Sequence, residues 1–529
     1  MRRPYIRYVV VVVLLLVVYL ALMPLDHYEA VANTAQQLAM KSGFSGSQDS
    51  KSTPAGRWTL TNDDFDVARA KDHYKKVFDI FARHNPDIKK LEDYKDGQRA
   101  KKKAFDDKLP IYTNEELYEF LQVSPSDLEI LRSSHRKTVR ELPSSPPPGL
   151  YKGSGIVTVS GKRYMPVMLT TLRALRKVSP HLPIEVFVAD QEEYEADLCE
   201  KVLPTMNARC VVLEDVFGRE TMKQHNVHGY QYKVMSILAS SFENVIFVDA
   251  DSIPLNDIEP LLLKEPFTTH GYVLWPDYWF RTTSPHFYDI ADITLGERVR
   301  GNLSETDPKL IPQADRKGAL PDKSTESGQI LISKSRHYKS LLLAVYYNLN
   351  GYKAYYQLFT QGSGGEGDKE TYLAAAEVLG DEYYQVKQDT RPCGRFEPDG
   401  FKGVGMLQMD PHDDYLVNTL KVSSLASPRV LFMHLNYPKL NPRELFKDDP
   451  DHFGDDDKRV RFYGKPSEQS HLLDGKDIEL DLWKACQWQA CDLGVREGIV
   501  TNDWKQADIN ELCDRITDHV NWLQKTHNT

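Results

Sequence analysis

The sequence predicts an α/β fold with a mostly parallel, Rossmann-like central sheet, preceded by a membrane anchor and a helical stem. Three observations carry this. From Tyr151 onward, short apolar strands alternate with helical patterns. One of those strands, Asn244–Val248, runs directly into two carboxylates, Asp249 and Asp251. At the N-terminus, the basic segment Met1–Arg7 precedes an unbroken apolar run from Tyr8 to Met23.

Arg2, Arg3 and Arg7 lie before the run and Asp26 and Glu29 after it. The positive-inside rule therefore makes residues 1–7 a cytosolic tail, 8–23 a signal anchor and everything later lumenal. The run is about 16 residues, about 24 Å as a helix, a length that suits thinner early-secretory membranes. A cleaved signal peptide ending near Ala30-Val31-Ala32 is the alternative; either way the body enters the secretory pathway. Residues 24 to about 57 are rich in Ser, Gly, Ala and Gln and read as linker. Leu60 to Arg140 is highly charged, with apolar residues such as Val77, Ile80 and Phe81 at helical spacing. Leu142–Gly149, rich in Pro and Ser, is the expected boundary between a stem region (24–149) and the main domain (150–529).

Within that domain, Gly155–Gly161 reads as a first strand and Tyr164–Val178 as a helix. Ile184–Asp190 is a second strand, Glu192–Leu203 a helix and Cys210–Leu213 a third strand. A helix over Tyr230–Phe242 leads into the strand that ends at the two aspartates. Such strands read as parallel, with ligands expected at their carboxyl ends.

Composition narrows the function classes. The 529 residues include 41% hydrophobic ones, 28 Tyr and 7 Trp, the make-up of a folded protein. A net charge of −10 without a long Lys/Arg run argues against nucleic-acid binding. Six cysteines in an oxidising lumen permit disulfides, with one bridge expected among Cys486, Cys491 and Cys513. No CxxC pattern points to a cysteine zinc site. Asn302-Leu303-Ser304 is an N-glycosylation sequon.

The chemistry concentrates around Asp249-Ala250-Asp251. Two carboxylates one residue apart at a strand end can hold a hard divalent cation and leave positions open for a diphosphate. On pattern alone a capping turn, with Asp251 leading into Asp257–Leu261, serves equally well.

Further words accompany this pair: Tyr230-Gln231-Tyr232-Lys233 before it, then Gly271–Trp279, Glu326-Ser327-Gly328-Gln329, Gly362–Thr371 and His434–Lys439. In this order they resemble metal-dependent glycosyltransferases of the GT-A fold. More closely, they resemble the fungal Golgi mannosyltransferases that branch the mannan outer chain of N-glycans. The resemblance spans about residues 150 to 445 and is strongest for the α-1,2 subgroup; the sister α-1,3 subgroup shares several of the words.

The resemblance implies retaining transfer of mannose from GDP-mannose to a mannan or N-glycan acceptor, with Mn²⁺ as cofactor. It also implies a Golgi type II membrane location and a place in a Golgi mannosyltransferase complex. Residue by residue, Asp249 and Asp251 would hold the metal and the donor diphosphate, with His434 as a further ligand or, on the blander reading, a core histidine. Lys439 and Lys233 would contact the donor; a solvated surface lysine is the other reading of Lys439. Glu326, Gln329 and Asp368 are candidates for the reacting face, although Asp368 also fits a helix N-cap before a helix ending at Leu379. Trp275, Asp277, Trp279 and Glu366 are candidates for the acceptor wall, and the aromatics equally suit a core. No GK[ST] follows the glycine run, so an ATP site is not expected. Two rivals remain: a non-catalytic glycan-binding lumenal protein, and a metal-dependent hydrolase with paired carboxylates.

Overall fold

In the computed structural model, which describes residues 66–101, 111–301, 303–448, 459–467, 473 and 475–526, four parallel strands open the main domain. They are β1 (Ser154–Val159), β2 (Ile184–Val188), β3 (Ala208–Val212) and β4 (Asn244–Val248). After β5 (Ser252–Pro254) come β6 (Tyr272–Phe280) and β7 (Lys323–Ser333), then β8 (Tyr384–Gln385). The seven-stranded sheet has the order β3-β2-β1-β4-β7-β6-β8. Strand β7 runs antiparallel to both β4 and β6, so the sheet is mixed and mostly parallel.

The alternation of side chains in these strands explains their apolar runs. Ile156, Val186, Val188, Ile246 and Val248 enter one hydrophobic cluster. Val157, Phe187, Val245 and Phe247 enter another on the opposite face. Both faces are covered, as a parallel sheet requires.

A smaller antiparallel sheet completes the strand inventory of the described residues. It combines β5 with β9 (Arg391–Glu397), β10 (Gly400–Met409) and β11 (Val430–His434), in the order β5-β11-β10-β9. Edge-to-face packing of Trp275 from β6 on Phe432 from β11, with ring centroids 5.7 Å apart, ties it to the large sheet.

The charged region before β1 has no separate core. Its helices α1 (Val67–Arg83) and α2 (Pro125–Glu141) are capped by the side chains of Asp66 and Ser124. The apolar stripe Ala70, Tyr74, Val77, Phe78 and Phe81 packs into the same cluster as β1 and β4. The Tyr74 hydroxyl donates to the carbonyl of Leu238 at 2.7 Å, and His135 of α2 bonds Tyr347 at 2.8 Å. Leu142 and Leu150 are buried at either end of the Pro-rich stretch, which joins two parts of one core.

Helices α3 (Met165–Val178), α4 (Gln231–Ala239), α5 (Tyr338–Leu349) and α6 (Lys369–Leu379) flank the large sheet. The helix expected over Glu192–Leu203 is shorter and displaced. Asp190 accepts from the backbone N–H groups of Glu192 and Glu193 in a turn, and helical structure begins only at Ala196 and runs to Met206. Near the C-terminus, α7 (Ile478–Gln487) and α8 (Ile509–Lys525) support the small sheet. The bridge expected there joins Cys491 to Cys513, and a second joins Cys199 to Cys210. Among the described residues no helix is long and apolar enough to cross a membrane. The anchor expected at 8–23, its cytosolic tail, the linker and Asn302 lie outside the described residues.

Candidate active site

The end of β4 delivers Asp249 and Asp251 to the junction of the two sheets. The Asp249 N–H donates to the Gly328 carbonyl at 2.8 Å, fixing the strand end against β7. The Leu435 N–H donates to the Asp251 carbonyl at 2.9 Å, fixing it against the end of β11. His434, the last residue of β11, thereby faces the pair. Its Nε2 lies 3.2 Å from Asp251 Oδ1. One ligand atom from each of Asp249, Asp251 and His434 can be chosen so that all lie within 4.8 Å of one another.

Two lysines bracket this group. Lys233 of α4 places Nζ 2.6 Å from Asp249, 3.2 Å from Ser327 Oγ and 3.8 Å from Asp368. Lys439 donates to the Asp251 carboxylate and, at 3.0 Å, to the Leu435 carbonyl. Asp251 is thus engaged by His434 and Lys439, and the capping-turn reading does not describe it. Lys439 is likewise a partner of the acidic pair rather than a solvated surface residue.

The remaining carboxylates form an inner layer. Glu326 accepts from the N–H groups of Ser327 and Gly328 at 2.9 and 2.7 Å, with His434 Nδ1 3.5 Å away. Asp368 accepts from Ser327 Oγ at 3.3 Å and Tyr372 Oη at 3.1 Å. It stands before α6 without capping it, so the N-cap reading gives way to a carboxylate held beside Lys233.

Burial and neighbouring charge set the protonation states. Burial alone would lower His434, but the Asp251 and Glu326 carboxylates outweigh it and hold the imidazole up at about 10. Burial would raise Glu326; His434, Lys233 and Lys369 hold it down at about 2. Asp251 is likewise held well below the usual range by His434 and Lys439, against burial. Asp249 is pushed up to about 6, because burial and Asp251 outweigh Lys233. Burial would lower Lys233, but Asp249 and Asp368 hold its ammonium far above its usual range. Burial also raises Asp368.

Three curated fungal proteins are similar over most of this chain. "Alpha-1,2-mannosyltransferase MNN21" of Candida albicans is 38% identical, covering 86% of this chain and 75% of the relative. "Alpha-1,2-mannosyltransferase MNN2" of Saccharomyces cerevisiae is 31% identical, with 92% and 90% covered. "Alpha-1,2-mannosyltransferase MNN5" of the same yeast is 32% identical, with 72% and 74% covered. The chain belongs to this mannosyltransferase family. The mannosyltransferase family model Mannosyl_trans3 matches residues 153–410, from β1 to the end of β10. Among solved structures, the glycosyltransferase GlyE of Streptococcus pneumoniae TIGR4 is 12% identical with a TM-score of 0.27, covering 45% of each chain. The galactosyltransferase LgtC, in complex with donor and acceptor sugar analogs, is 14% identical with a TM-score of 0.26, covering 46% of this chain and 76% of that one. Such distant overlaps transfer no residue roles.

In this mannosyltransferase the donor set suits a divalent ion. Two carboxylates and an imidazole converge from separate strands, with His434 Nε2 turned to Asp251 and Nδ1 turned to Glu326. Hard oxygen donors with one imidazole fit a hard or borderline divalent ion better than a soft metal. Gly328 makes the convergence possible. A Cβ there would fall 2.9 Å from His434 Nδ1 and 3.2 Å from Glu326 Oε1.

Several expected contacts move elsewhere. Trp275 is a core residue, fully buried, with its indole N–H donating to the Met409 carbonyl at 2.8 Å. It lies on the inner side of β6 and cannot form an acceptor wall. Gln329 is also fully buried, its carbonyl accepting from Ser252 at 3.1 Å, so it buttresses β5 instead of facing a sugar. Asp277 is buried in an ion pair with Lys369, beneath the glycine loop. Gly365, at φ +85°, passes directly over that pair. Trp279 is half-buried beside Ser363 and Gly364, while Glu366 is exposed and accepts from Gln357 at 3.1 Å.

Sequence reasoning missed three supports. Ser327 links Lys233 to Asp368, and Tyr372 orients that carboxylate. The buried Arg281–Glu370 ion pair anchors the start of α6 to β7, where Ser324 donates to Glu370 at 2.6 Å. Ser327 lay inside a quoted word; Arg281 and Tyr372 had no sequence signal beyond being polar or aromatic residues among apolar ones.

Proposed function

We propose that the chain is a retaining α-1,2-mannosyltransferase of GT-A type, transferring mannose from GDP-mannose to a mannan or N-glycan acceptor with Mn²⁺ bound. The observation that carries this is the buried Asp249–Asp251–His434 group, bracketed by Lys233 and Lys439. Asp249, Asp251 and His434 would hold the ion, which supplies positive charge against the diphosphate as the bond to mannose C1 breaks. Lys439 leaves Asp251 to pair with a phosphate oxygen, and Lys233 stays between Asp249 and Asp368 to balance their charge. Glu326 and Asp368 remain as acidic groups close enough to steady a cation-like sugar. The acceptor hydroxyl attacks C1 from the face the phosphate leaves, and its proton passes to the departing phosphate, so no protein base is required.

The same reading includes a type II Golgi anchor at Tyr8–Met23 and assembly with other Golgi mannosyltransferases. The two disulfides support an oxidising, lumenal compartment for the body. The non-catalytic alternative is disfavoured by the cost of burying several carboxylates and cations that no structural need explains.

The test uses the full chain with GDP-mannose, Mn²⁺ and an α-1,6-mannooligosaccharide, and the product linkage is read by NMR. A new α-1,2-linked mannose that is absent with EDTA, and absent in the Asp249→Ala/Asp251→Ala variant, is the expected result. An α-1,3 product would move the chain to the sister activity. A folded protein that binds Mn²⁺ and transfers nothing from GDP-mannose would overturn the donor assignment.

A further inference from the structure

The small sheet extends beyond His434, and its outer end carries an unexplained aromatic patch. Phe396 and Phe401 are 72% and 40% exposed, with ring centroids 5.2 Å apart. They pair across the β9–β10 hairpin. Exposed aromatics that pair with each other, unlike scattered single hydrophobics, mark contact surfaces.

Register shows which way they face. His434 lies opposite Met406, Met406 opposite Pro392, and Gly394, two residues on, opposite Gly403. The next rung of the same face is Phe396 opposite Phe401. The rings therefore share the sheet face from which His434 reaches the acidic pair. β10 bulges between Gly403 and Gly405, so the distance is read along the regular partner β9, where the four steps from Pro392 to Phe396 span about 13 Å at about 3.3 Å per residue. The intervening rung has glycine on both strands and raises no side chain. The cations of the hairpin lie on the other face, where Arg395 and Lys402 approach Glu397. Among the described strand residues, this face is uncharged from His434 outward.

We infer that this face is a remote acceptor subsite, on which a mannose ring of the acceptor chain stacks against Phe401 and Phe396. The inference rests on the proposed function and adds to it a grip on acceptors longer than the reacting sugar. An uncharged oligosaccharide, with C–H faces for aromatic rings, suits a neutral track continuous with the transfer centre. An anionic lipid surface or an acidic peptide would call for cations, which the described strand residues of this face do not supply.

The full-chain Phe396→Ala/Phe401→Ala variant tests it, because both rings are exposed and folding does not depend on them. KM for a long α-1,6-mannooligosaccharide should rise about tenfold. The kcat, KM for methyl α-mannoside and donor hydrolysis without acceptor should stay unchanged. Phe396→Trp/Phe401→Trp should restore the long-acceptor KM. An unchanged KM, or an equal rise for both acceptors, would overturn the subsite. So would loss of vesicle flotation or self-association with acceptor kinetics intact. If the wild type transfers no mannose, saturation-transfer NMR with the oligosaccharide still decides: signal lost in the variant supports the subsite, signal retained refutes it.

Discussion

Replacing Gly328 with Ala probes the tightest approach in the site. The added Cβ would sit 2.9 Å from His434 Nδ1 and 3.1 Å from Cε1. Ordinary contact needs about 3.5 Å, so one partner must give by about 0.6 Å. The backbone of Gly328 cannot retreat, because its carbonyl accepts from Asp249 and its N–H donates to Glu326. The imidazole is the movable group. A metal ligand tolerates displacements of only about 0.2 Å, so the shift spoils coordination while the fold survives. Mn²⁺ affinity should fall by about 10- to 100-fold, the range seen when a ligand loses its orientation. Overpacking should cost about 1–3 kcal/mol of stability. The assay is a Mn²⁺ titration, by calorimetry and by mannose transfer. Saturating Mn²⁺ should recover much of kcat. A titration midpoint equal to wild type would refute the view that Gly328 keeps space for His434.

Two further outcomes follow from buried charge. Lys233→Met leaves Asp249 and Asp368 facing each other without their shared cation, which should cost about 3–5 kcal/mol in a denaturant titration; a loss under about 1 kcal/mol would show that solvent already screens them. Glu479, whose carboxylate accepts from the N–H groups of Phe462 and Tyr463, is pushed by burial from 4.5 up to about 7. The folded state therefore keeps a proton that the unfolded chain has released, and stability contributed by this group is full below pH 4.5 and lost as pH rises towards 7. That interval is worth about 3 kcal/mol at most. Glu479→Gln should flatten the pH dependence of Tm between pH 5 and 7, and an unchanged slope would show that the carboxyl is ionised throughout.

Much of the large sheet was legible because its strands are apolar on both faces and punctuated by Gly or Asp. Ser154–Val159, Ile184–Val188 and Asn244–Val248 all show this. The small sheet was not, apart from β11. β9 and β10 carry Gly394, Gly400, Gly403 and Gly405 among charged residues, and neither alternation nor composition signals a strand. The Pro-rich stretch after α2 looked like a boundary because local stiffness is visible in sequence, whereas the packing of Tyr74 on Leu238 is not. In the site, the resemblance implied a use for Asp249 and Asp251, but the residues by themselves left a capping turn equally open. A capping aspartate and a metal-holding one are identical until His434, nearly two hundred residues later, is seen beside them. Trp275 was misplaced for the same reason, since an aromatic in a strand does not declare which side it faces.

The lysines that bracket the acidic pair give the centre a charge balance of its own. Asp249 is matched by Lys233 and Asp251 by Lys439. A divalent ion arriving alone would crowd two ammonium groups, and a diphosphate arriving alone would meet two carboxylates. On the proposed function, Asp249 and Asp251 would turn to the ion and Lys439 to a phosphate, so each ligand would relieve the charge that opposes the other. On that reading ion and nucleotide would bind with positive cooperativity, each raising the affinity for the other by one common factor. Free metal in the compartment would therefore tune how tightly the donor is held, and departure of the spent nucleotide would loosen the ion in turn.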